Sequence, residues 1–329
     1  MGKAIIYFAV LVIASLLTIG YFVLDNTRFA DKYDNKITNE VSIRNNMPGY
    51  ELKGYQSRVG ILEPNTDLLK DQFVNDTYAT LLINNETKTP IVSYNALRRI
   101  YPASTTKLMT GIVVCDALND GEISLDEKVT LDSDVVIDEE GALVSELRAG
   151  CTITIRNLLY GLMMRSYNDY AIILAEYICG SQSAFVERMN NKAYAIGATS
   201  SHFCNPHGLH DDNHYITAYD MYLILQEAKK YEILHEIDSY NSFTYSYTDG
   251  DGYVWEDDIS PTNEFLAGNY KTPSNITIKE WKTGTTDAAG YILTMNVDID
   301  DKNFSLFVAD GTSQDDLYDK IGILFNLSK

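Results

Sequence analysis

Basic residues, histidine and cysteine are in short supply in this sequence of 329 residues. Lysine and arginine number 26 against 46 aspartates and glutamates, which gives a formal net charge of −20. A surface of that sign repels nucleic-acid phosphates and anionic lipid headgroups, which argues against nucleic-acid binding and against a peripheral basic anchor. Four cysteines are too few for a disulfide-dense scaffold. The five histidines include no His-Glu-x-x-His motif, so no zinc-peptidase helix is predicted.

Apolar residues, by contrast, are plentiful, and one long run of them stands at the start. Hydrophobic residues make up 45% of the chain, enough for a sizeable core, and Ala4 to Leu24 carry no charge at all. About 20 such residues can cross a bilayer as a helix. Lys3 would also suit a signal peptide, but the run exceeds the usual signal core of about 7–15 residues. We expect residues 1–24 to form a single membrane anchor with the rest extracytoplasmic; a cleaved signal peptide is the alternative.

Beyond this run the chain divides into a stalk and one large domain. Residues 25–67 are polar and Asn-rich without a sustained period, whereas residues 68–329 carry regular patterns. A hairpin is predicted at Tyr78–Ile83 and Ile91–Tyr94, and two β-rich runs near the C-terminus precede a helix that Ser313 would cap. The patterns predict an α/β (α+β) fold, with an antiparallel sheet built from both ends and an inserted all-helical subdomain. The helical patterns between the strands cover Ser104–Asn119, Ile155–Met164, Asp169–Ile178 and Ala184–Ile196.

The first chemical motif is Ser104-Thr105-Thr106-Lys107, which follows Pro102 at the predicted start of a helix. Residues three apart share a helix face, so the Lys107 amine is expected near the Ser104 hydroxyl. A serine becomes a nucleophile when a base takes its proton, and lysine can be that base if its pKa is lowered. The motif alone has low specificity, because an exposed helix start with a solvated lysine would give the same pattern.

The second motif is Ser166-Tyr167-Asn168, between two helical patterns. A hydroxyl and an amide two residues apart on a short connection can point into one cleft, relay a proton and bind a substrate amide. The same three residue types recur at Ser93 and at Ser239. The copy at Ser93 falls in a predicted strand and the copy at Ser239 in a polar stretch, so the context favours Ser166.

The third motif is Lys282-Thr283-Gly284, at the end of an alternating strand pattern that begins at Ile276. A glycine in a strand lets another backbone or a ligand approach closely. Lys282 offers a cation for a carboxylate and would push Lys107 toward its neutral form, and Thr283 adds a hydroxyl beside it. An ordinary strand end would also give this triplet.

Together and in this order, the three motifs resemble those of β-lactamases and penicillin-binding proteins. The chain is similar to the serine-type D-alanyl-D-alanine carboxypeptidases, the low-molecular-mass penicillin-binding proteins of the β-lactamase/transpeptidase-like superfamily. The resemblance covers roughly Tyr78 to Gly311. It includes the stretches YPASTTKLMT, NLLYGLMMRSYNDYAIILAE, FVERMNNKA, NPHGL, TAYDM and KTGTTDAAGY.

This resemblance implies roles for the motif residues. Ser104 would be the acylated nucleophile, Lys107 its general base, and Ser166 with Asn168 the groups that assist proton transfer and position substrate. Lys282, Thr283 and Gly284 would bind the peptide carboxylate on an edge strand, and the backbone N–H groups of Ser104 and Thr285 would form the oxyanion hole. The implied substrate is the peptidoglycan stem peptide ending in D-Ala-D-Ala, the implied inhibitors are β-lactams, and no cofactor or metal is implied.

The sequence departs from the family pattern in two ways. Tyr167 stands where the family usually has glycine, so we expect a bulkier cleft wall. Only 45 residues follow Gly284, where many relatives carry a further β-rich domain and an amphipathic helix. We therefore expect the N-terminal segment to do the anchoring.

Cysteine and histidine give weaker signals. Cys115 and Cys179 lie in apolar helical patterns, which are typical of buried thiols, while Cys151 and Cys204 could pair outside the cytoplasm. Four histidines crowd around Cys204, but Pro206 and Gly208 interrupt any helix that would align them as metal ligands. We expect a structural loop there.

Three rival functions share parts of the pattern. A class A β-lactamase needs a Glu-x-x-Leu-Asn element, and no glutamate between Ser166 and Lys282 begins one. A membrane-bound penicillin sensor needs a cytoplasmic output domain, and only three residues precede the apolar run. A DD-endopeptidase would use the same residues as a carboxypeptidase, so this alternative stays open.

Overall fold

The computed structural model describes residues 79–328; the predicted anchor at residues 1–24 and the stalk at 25–67 lie outside this range. Within the described range no helix is long and apolar enough to span a membrane. The strands are β1 (Ala79–Asn84), β2 (Thr89–Tyr94), β3 (Lys128–Thr130), β4 (Thr152–Thr154), β5 (Phe243–Thr248), β6 (Val254–Ile259), β7 (Ile276–Thr286), β8 (Gly290–Ile299) and β9 (Lys302–Gly311). The helices are α1 (Lys107–Asn119), α2 (Ile155–Tyr160), α3 (Asn168–Cys179), α4 (Gln182–Ile196), α5 (Ala218–Ala228), α6 (Glu232–Asp238) and α7 (Gln314–Leu327).

The main sheet joins the two ends of the described chain, as the sequence predicts. Its five antiparallel strands lie in the order β2-β1-β9-β8-β7, with the predicted hairpin β1–β2 at one side. This order leaves β7 as an edge strand. An edge strand has backbone groups available to pair with an added strand.

Helices cover both faces of this sheet. Successive side chains of a strand point to opposite faces, so the central strands present apolar residues to both layers of helices. Leu293, Met295 and Val297 of β8 pack with α7, whereas Ile292 of β8 belongs to the larger core that includes α1 and α5. Helix α7 begins where predicted: the Ser313 hydroxyl accepts a hydrogen bond from the Asp316 N–H at 3.1 Å. A side-chain cap of this kind satisfies one of the free amides of a helix start.

The segment inserted between β2 and β7 is not all-helical, which corrects the sequence prediction. It carries α1 to α6 together with a second sheet in the order β3-β4-β5-β6. Strands β3 and β4 have three residues each, and β6 is exposed over most of its length. Such short or polar strands have no apolar alternation long enough to be recognised in sequence.

Candidate active site

Ser104 lies on a 3-10 turn, Ala103–Thr106, that leads directly into α1. Ala103 has a φ of 46°, a left-handed conformation that is costly for a residue with a Cβ. Gly208 packs against this turn so closely that a Cβ at position 208 would lie 2.0 Å from the Ala103 carbonyl oxygen. Helix α1 is buried along nearly its whole length, so the turn projects from a rigid base. Strained backbone held by its surroundings in this way is frequent at functional sites.

The Lys107 amine connects three parts of the site. Its side chain is fully buried, and its Nζ lies 2.9 Å from Ser104 Oγ, 2.7 Å from Asn168 Oδ1 and 2.6 Å from the His207 carbonyl oxygen. The Asn168 amide nitrogen donates to the Leu143 carbonyl at 3.0 Å, which turns Oδ1 toward the lysine. The first two motifs therefore meet at one nitrogen atom.

This geometry suits an uncharged amine. Burial lowers the pKa of Lys107 well below its usual value; the positive charge of Lys282 lowers it further, and the Asp169 carboxylate opposes both effects. A neutral amine has two N–H groups and one lone pair. The carbonyl oxygens of Asn168 and His207 can accept both N–H groups, which leaves the lone pair for the Ser104 hydroxyl proton. Lys107 can then act as a general base toward Ser104.

Ser166 ends a π-helical turn, Gly161–Arg165, that continues α2. Its φ of 67° breaks the helix before α3 begins at Asn168. The Ser166 side chain is buried, and among the described residues its hydroxyl finds no hydrogen-bond partner. A buried unsatisfied hydroxyl is costly unless a ligand or water completes it. Of the three Ser-Tyr-Asn tripeptides, the one at Ser166 is the copy that lines the cleft with Ser104.

Strand β7 passes close to the Ala103–Thr106 turn that carries Ser104, called the nucleophile turn below. A Cβ on Gly284 would lie 2.9 Å from the Ser104 backbone nitrogen and 3.0 Å from that of Thr105, so no larger residue fits without displacing the turn. The Thr283 hydroxyl hydrogen-bonds to that of Thr262 at 2.5 Å, and the Thr285 side chain is exposed. Thr283, Gly284 and Thr285 line the same cleft as Ser104.

Lys282 is fully buried and does not itself line the cleft. Its Nζ donates to the Thr283 carbonyl at 3.3 Å and lies 5.8 Å from the centre of the Trp281 ring. Burial lowers the pKa of Lys282 to about 7, although the Asp238 carboxylate raises it. The charge of Lys282 acts on Lys107, which agrees with the electrostatic effect expected from the sequence.

The cleft has a volume of about 930 Å³ and brings most of the predicted site residues together. One wall consists of Glu139, Glu140, Gly141, Ala142 and Leu143, from the irregular segment between β3 and β4. Sequence reasoning missed this wall and the His207 carbonyl on Lys107. The wall has no motif of its own, and a backbone carbonyl gives no signal through residue type.

Tyr167 does not narrow the cleft, contrary to the sequence prediction. Its ring lies 5.0 Å from the ring of Tyr170 and covers Gly161, where a Cβ would come within 3.2 Å of Tyr167. The backbone at Tyr167, with φ of −57° and ψ of 126°, is not helical and separates the turn that ends at Ser166 from α3. Tyr167 is absent from the residues that line the cleft.

None of the four cysteines lines the cleft, whereas the histidine-rich loop borders it and supplies the His207 carbonyl to Lys107. All four cysteines are free thiols, so the pair considered for Cys151 and Cys204 is not formed. His214 is buried and bonds Thr106 Oγ1 at 3.0 Å, which makes the histidine-rich loop a support for the nucleophile turn. Among residues 79–328 no cluster of His, Cys, Asp and Glu has the geometry of a metal site.

A serine hydroxyl within hydrogen-bond distance of a buried lysine amine, beside a cleft and an edge strand, is the arrangement that acyl transfer through a serine needs. Residues 70–313 match the D-alanyl-D-alanine carboxypeptidase family, and the chain belongs to this family.

Individual relatives agree with this assignment. D-alanyl-D-alanine carboxypeptidase DacF of Bacillus subtilis is 31% identical over 228 residues, which are 68% of this chain and 54% of the relative. The crystal structure of a Streptomyces DD-transpeptidase is 27% identical with a TM-score of 0.68, covering 76% of this chain and 95% of that one. A cefotaxime-bound penicillin-binding protein from Listeria monocytogenes has a TM-score of 0.64, with 76% and 95% coverage; at 24% identity it shows the fold alone. The chain spans about half the length of the curated carboxypeptidase relatives it matches first.

Proposed function

We propose that this protein is a serine D-Ala-D-Ala carboxypeptidase that removes the terminal D-alanine from peptidoglycan stem peptides. The observation that carries the proposal is the hydrogen-bonded set at Lys107, where two carbonyl oxygens occupy the N–H groups of the amine and Ser104 Oγ lies 2.9 Å away. Family membership and the names of the relatives support the same reaction.

Acylation is the first step. Ser104 Oγ attacks the carbonyl carbon of the penultimate D-Ala while its proton moves to Lys107 Nζ. The backbone N–H groups of Ser104 and Thr285 stabilise the oxyanion, and the close approach of Gly284 to Ser104 supports this pairing of strand and turn. When the C–N bond breaks, the D-alanine nitrogen takes a proton through the Ser166 hydroxyl, which has no other partner among the described residues.

Deacylation reverses the roles. A water molecule gives its proton to Lys107 and attacks the ester carbonyl; the C–O bond to Ser104 then breaks as Lys107 returns this proton to Ser104 Oγ, which releases the shortened peptide. Substrate binding uses the edge of β7, to which an extended peptide can add as a further strand. The Thr283 hydroxyl, which lines the cleft, would bind the terminal carboxylate of the substrate, and Lys282, which does not line it, would attract that carboxylate through its charge. A β-lactam would acylate Ser104 in the same way.

The reaction takes place outside the cytoplasm, where peptidoglycan lies. We therefore infer that residues 1–24 anchor the protein in the bacterial cell membrane through a single span, or are cleaved as a signal peptide. Residues 25–67 would form the stalk that carries the catalytic domain.

Labelling with a fluorescent penicillin and D-alanine release from a peptide ending in D-Ala-D-Ala test the proposal. Ser104→Ala should abolish both signals, because the attacking oxygen is removed. Ser166→Ala should slow D-alanine release by about 100-fold, since proton transfer is impaired. Ser239→Ala is the matched control: it changes the same residue of a Ser-Tyr-Asn tripeptide outside the cleft and should behave as wild type.

Equal labelling of wild type and Ser104→Ala would reject the nucleophile. Labelling of wild type without D-alanine release would reject the carboxypeptidase. Cleavage of a cross-linked peptide dimer would then identify an endopeptidase, and its absence would favour a penicillin sensor.

A further inference from the structure

Residues 139–145 (the wall segment) contain neither helix nor strand, and the first five of them line the cleft. Leu143 and Val144 are exposed, with 39% and 46% of their surface accessible, so these side chains do not hold the segment in place. An irregular segment needs specific hydrogen bonds to keep one position. Those bonds come from the first two residues of α3.

Asn168 provides the first attachment. Its backbone N–H and its side-chain amide both donate to the Leu143 carbonyl, at 2.8 and 3.0 Å. The Oδ1 atom of the same side chain lies 2.7 Å from Lys107 Nζ. The wall and the general base are therefore connected through a single side chain.

Asp169 provides the second attachment. Its carboxylate is buried and accepts the Ser145 N–H at 3.1 and 3.2 Å, together with the Ser145 hydroxyl. Asp169 lies in the first turn of α3, where the helix dipole and the free N–H groups stabilise a negative charge. Burial raises the pKa of Asp169, and the hydrogen bonds from Ser145 oppose this rise by stabilising the carboxylate.

We propose that Asp169 is a positioning residue for acyl transfer: its carboxylate fastens the wall segment to α3 through Ser145 and places a negative charge one residue from Asn168, which binds Lys107. This inference rests on the proposed function, because it assigns a role in that reaction. Asp169 does not touch the reacting atoms and acts through Asn168 and Lys107.

The direction of the electrostatic effect follows from the groups around Lys107. Burial and the charge of Lys282 from β7 favour the neutral amine, whereas the Asp169 carboxylate favours the charged form. The buried imidazole of His207 has a pKa lowered to about 3 and therefore brings no charge at neutral pH. Removing the charge of Asp169 therefore lowers the pKa of Lys107. Activity that needs neutral Lys107 will then persist to lower pH.

Two variants separate the charge from the attachment. Asp169→Asn keeps an oxygen acceptor for Ser145 but removes the charge, so the acidic limb of kcat/KM should move down by about 1 pH unit. Ser145→Ala keeps the charge but weakens the attachment of the wall, so KM should rise about tenfold while the acidic limb stays in place.

Asp220→Asn is the matched control. Asp220 is a buried aspartate in the first turn of α5 that accepts the Ser200 N–H at 2.8 Å and the Ser201 hydroxyl at 2.7 Å, away from the cleft. It should lower the melting temperature without moving the acidic limb. If Asp169→Asn behaves like this control, Asp169 is merely structural and the proposal is wrong.

A second measurement does not need turnover. The protein is labelled with ¹³C at lysine Cε, and the resonance that disappears in Lys107→Arg is assigned to Lys107. The titration midpoint of this resonance should fall in Asp169→Asn and stay unchanged in Ser145→Ala. A shift in this midpoint without any D-alanine release from wild type would reject the proposed function but keep the electrostatic link. An unchanged midpoint in a folded, active Asp169→Asn would overturn the inference itself.

Discussion

Two buried lysines, Lys107 at the start of α1 and Lys282 in β7, have the same side chain and the same complete burial but different surroundings. Lys107 has three oxygen neighbours within hydrogen-bond distance, while Lys282 has one acceptor among residues 79–328, the Thr283 carbonyl at 3.3 Å. Burial lowers the pKa of both. Because both lysines are equally buried, their hydrogen-bond partners, more than burial, distinguish the proposed base Lys107 from Lys282, the lysine proposed to attract a carboxylate. Lys107 is already occupied by acceptors, whereas Lys282 retains capacity for a carboxylate.

The difference between the two lysines can be tested by removing each in turn, and the largest effect is expected for Lys107. Lys107→Ala removes the proton acceptor of Ser104, so acylation by a fluorescent penicillin should slow by about 1,000-fold at neutral pH. Stopped-flow or gel-based labelling rates measure this. Lys192→Ala is the control, because Lys192 is a largely buried lysine that pairs with Asp116 and Glu227 away from the cleft. Similar acylation rates in wild type and Lys107→Ala would show that another group is the base.

A smaller effect is expected from Lys282→Ala. Loss of one charged partner for a carboxylate costs about 10- to 100-fold in KM for a peptide with a free C-terminus. The C-terminal amide of the same peptide should lose little, since it has no charge for Lys282 to bind. Lys279→Ala removes a lysine from the same strand whose ammonium pairs with Asp298, and it serves as the control. Equal losses with acid and amide substrates would contradict a role in carboxylate binding.

The smallest expected effect is a pH dependence of KM that comes from the titration of Lys282. With a pKa of about 7, Lys282 of the free protein is charged below pH 7 and loses its charge as the pH rises through this value. KM for a carboxylate substrate should therefore be about tenfold higher at pH 8 than at pH 6. Lys282→Arg keeps its charge over this range and should flatten the profile. A wild-type KM that does not change between these values would show that Lys282 remains charged when buried.

The parts of the fold that depend on short-range sequence patterns were predictable. The hairpin β1–β2, the helices α1 to α4 and the Ser313 cap follow from periodicity and capping chemistry, which act over a few residues. The second sheet was missed because β3 and β4 are too short to show a period. Tyr167 was misjudged because residue type gives its size, while the direction of its side chain depends on the backbone turn at the start of α3.

The candidate site also contains features that the sequence predicts and features that it does not. Ser104, Lys107, Ser166, Asn168 and the Lys282–Thr285 stretch were recognisable because their chemistry needs particular side chains at short spacing. The His207 carbonyl, the attachment of Leu143 and the complete burial of Lys282 were not, since they arise from backbone groups and packing between distant segments. Backbone carbonyls are identical at every residue, so only their position in space gives them a role.

The order of residues specifies that this protein possesses a serine hydroxyl, two lysine amines and an asparagine amide in its motifs, because functional groups are a property of residue type. Tertiary structure alone decided the charge state toward which each amine is driven, since a pKa depends on the solvent excluded and the charges gathered around it. Segments more than 60 positions apart in the chain, such as those that bring Asn168 and His207 to Lys107, meet only when the domain folds.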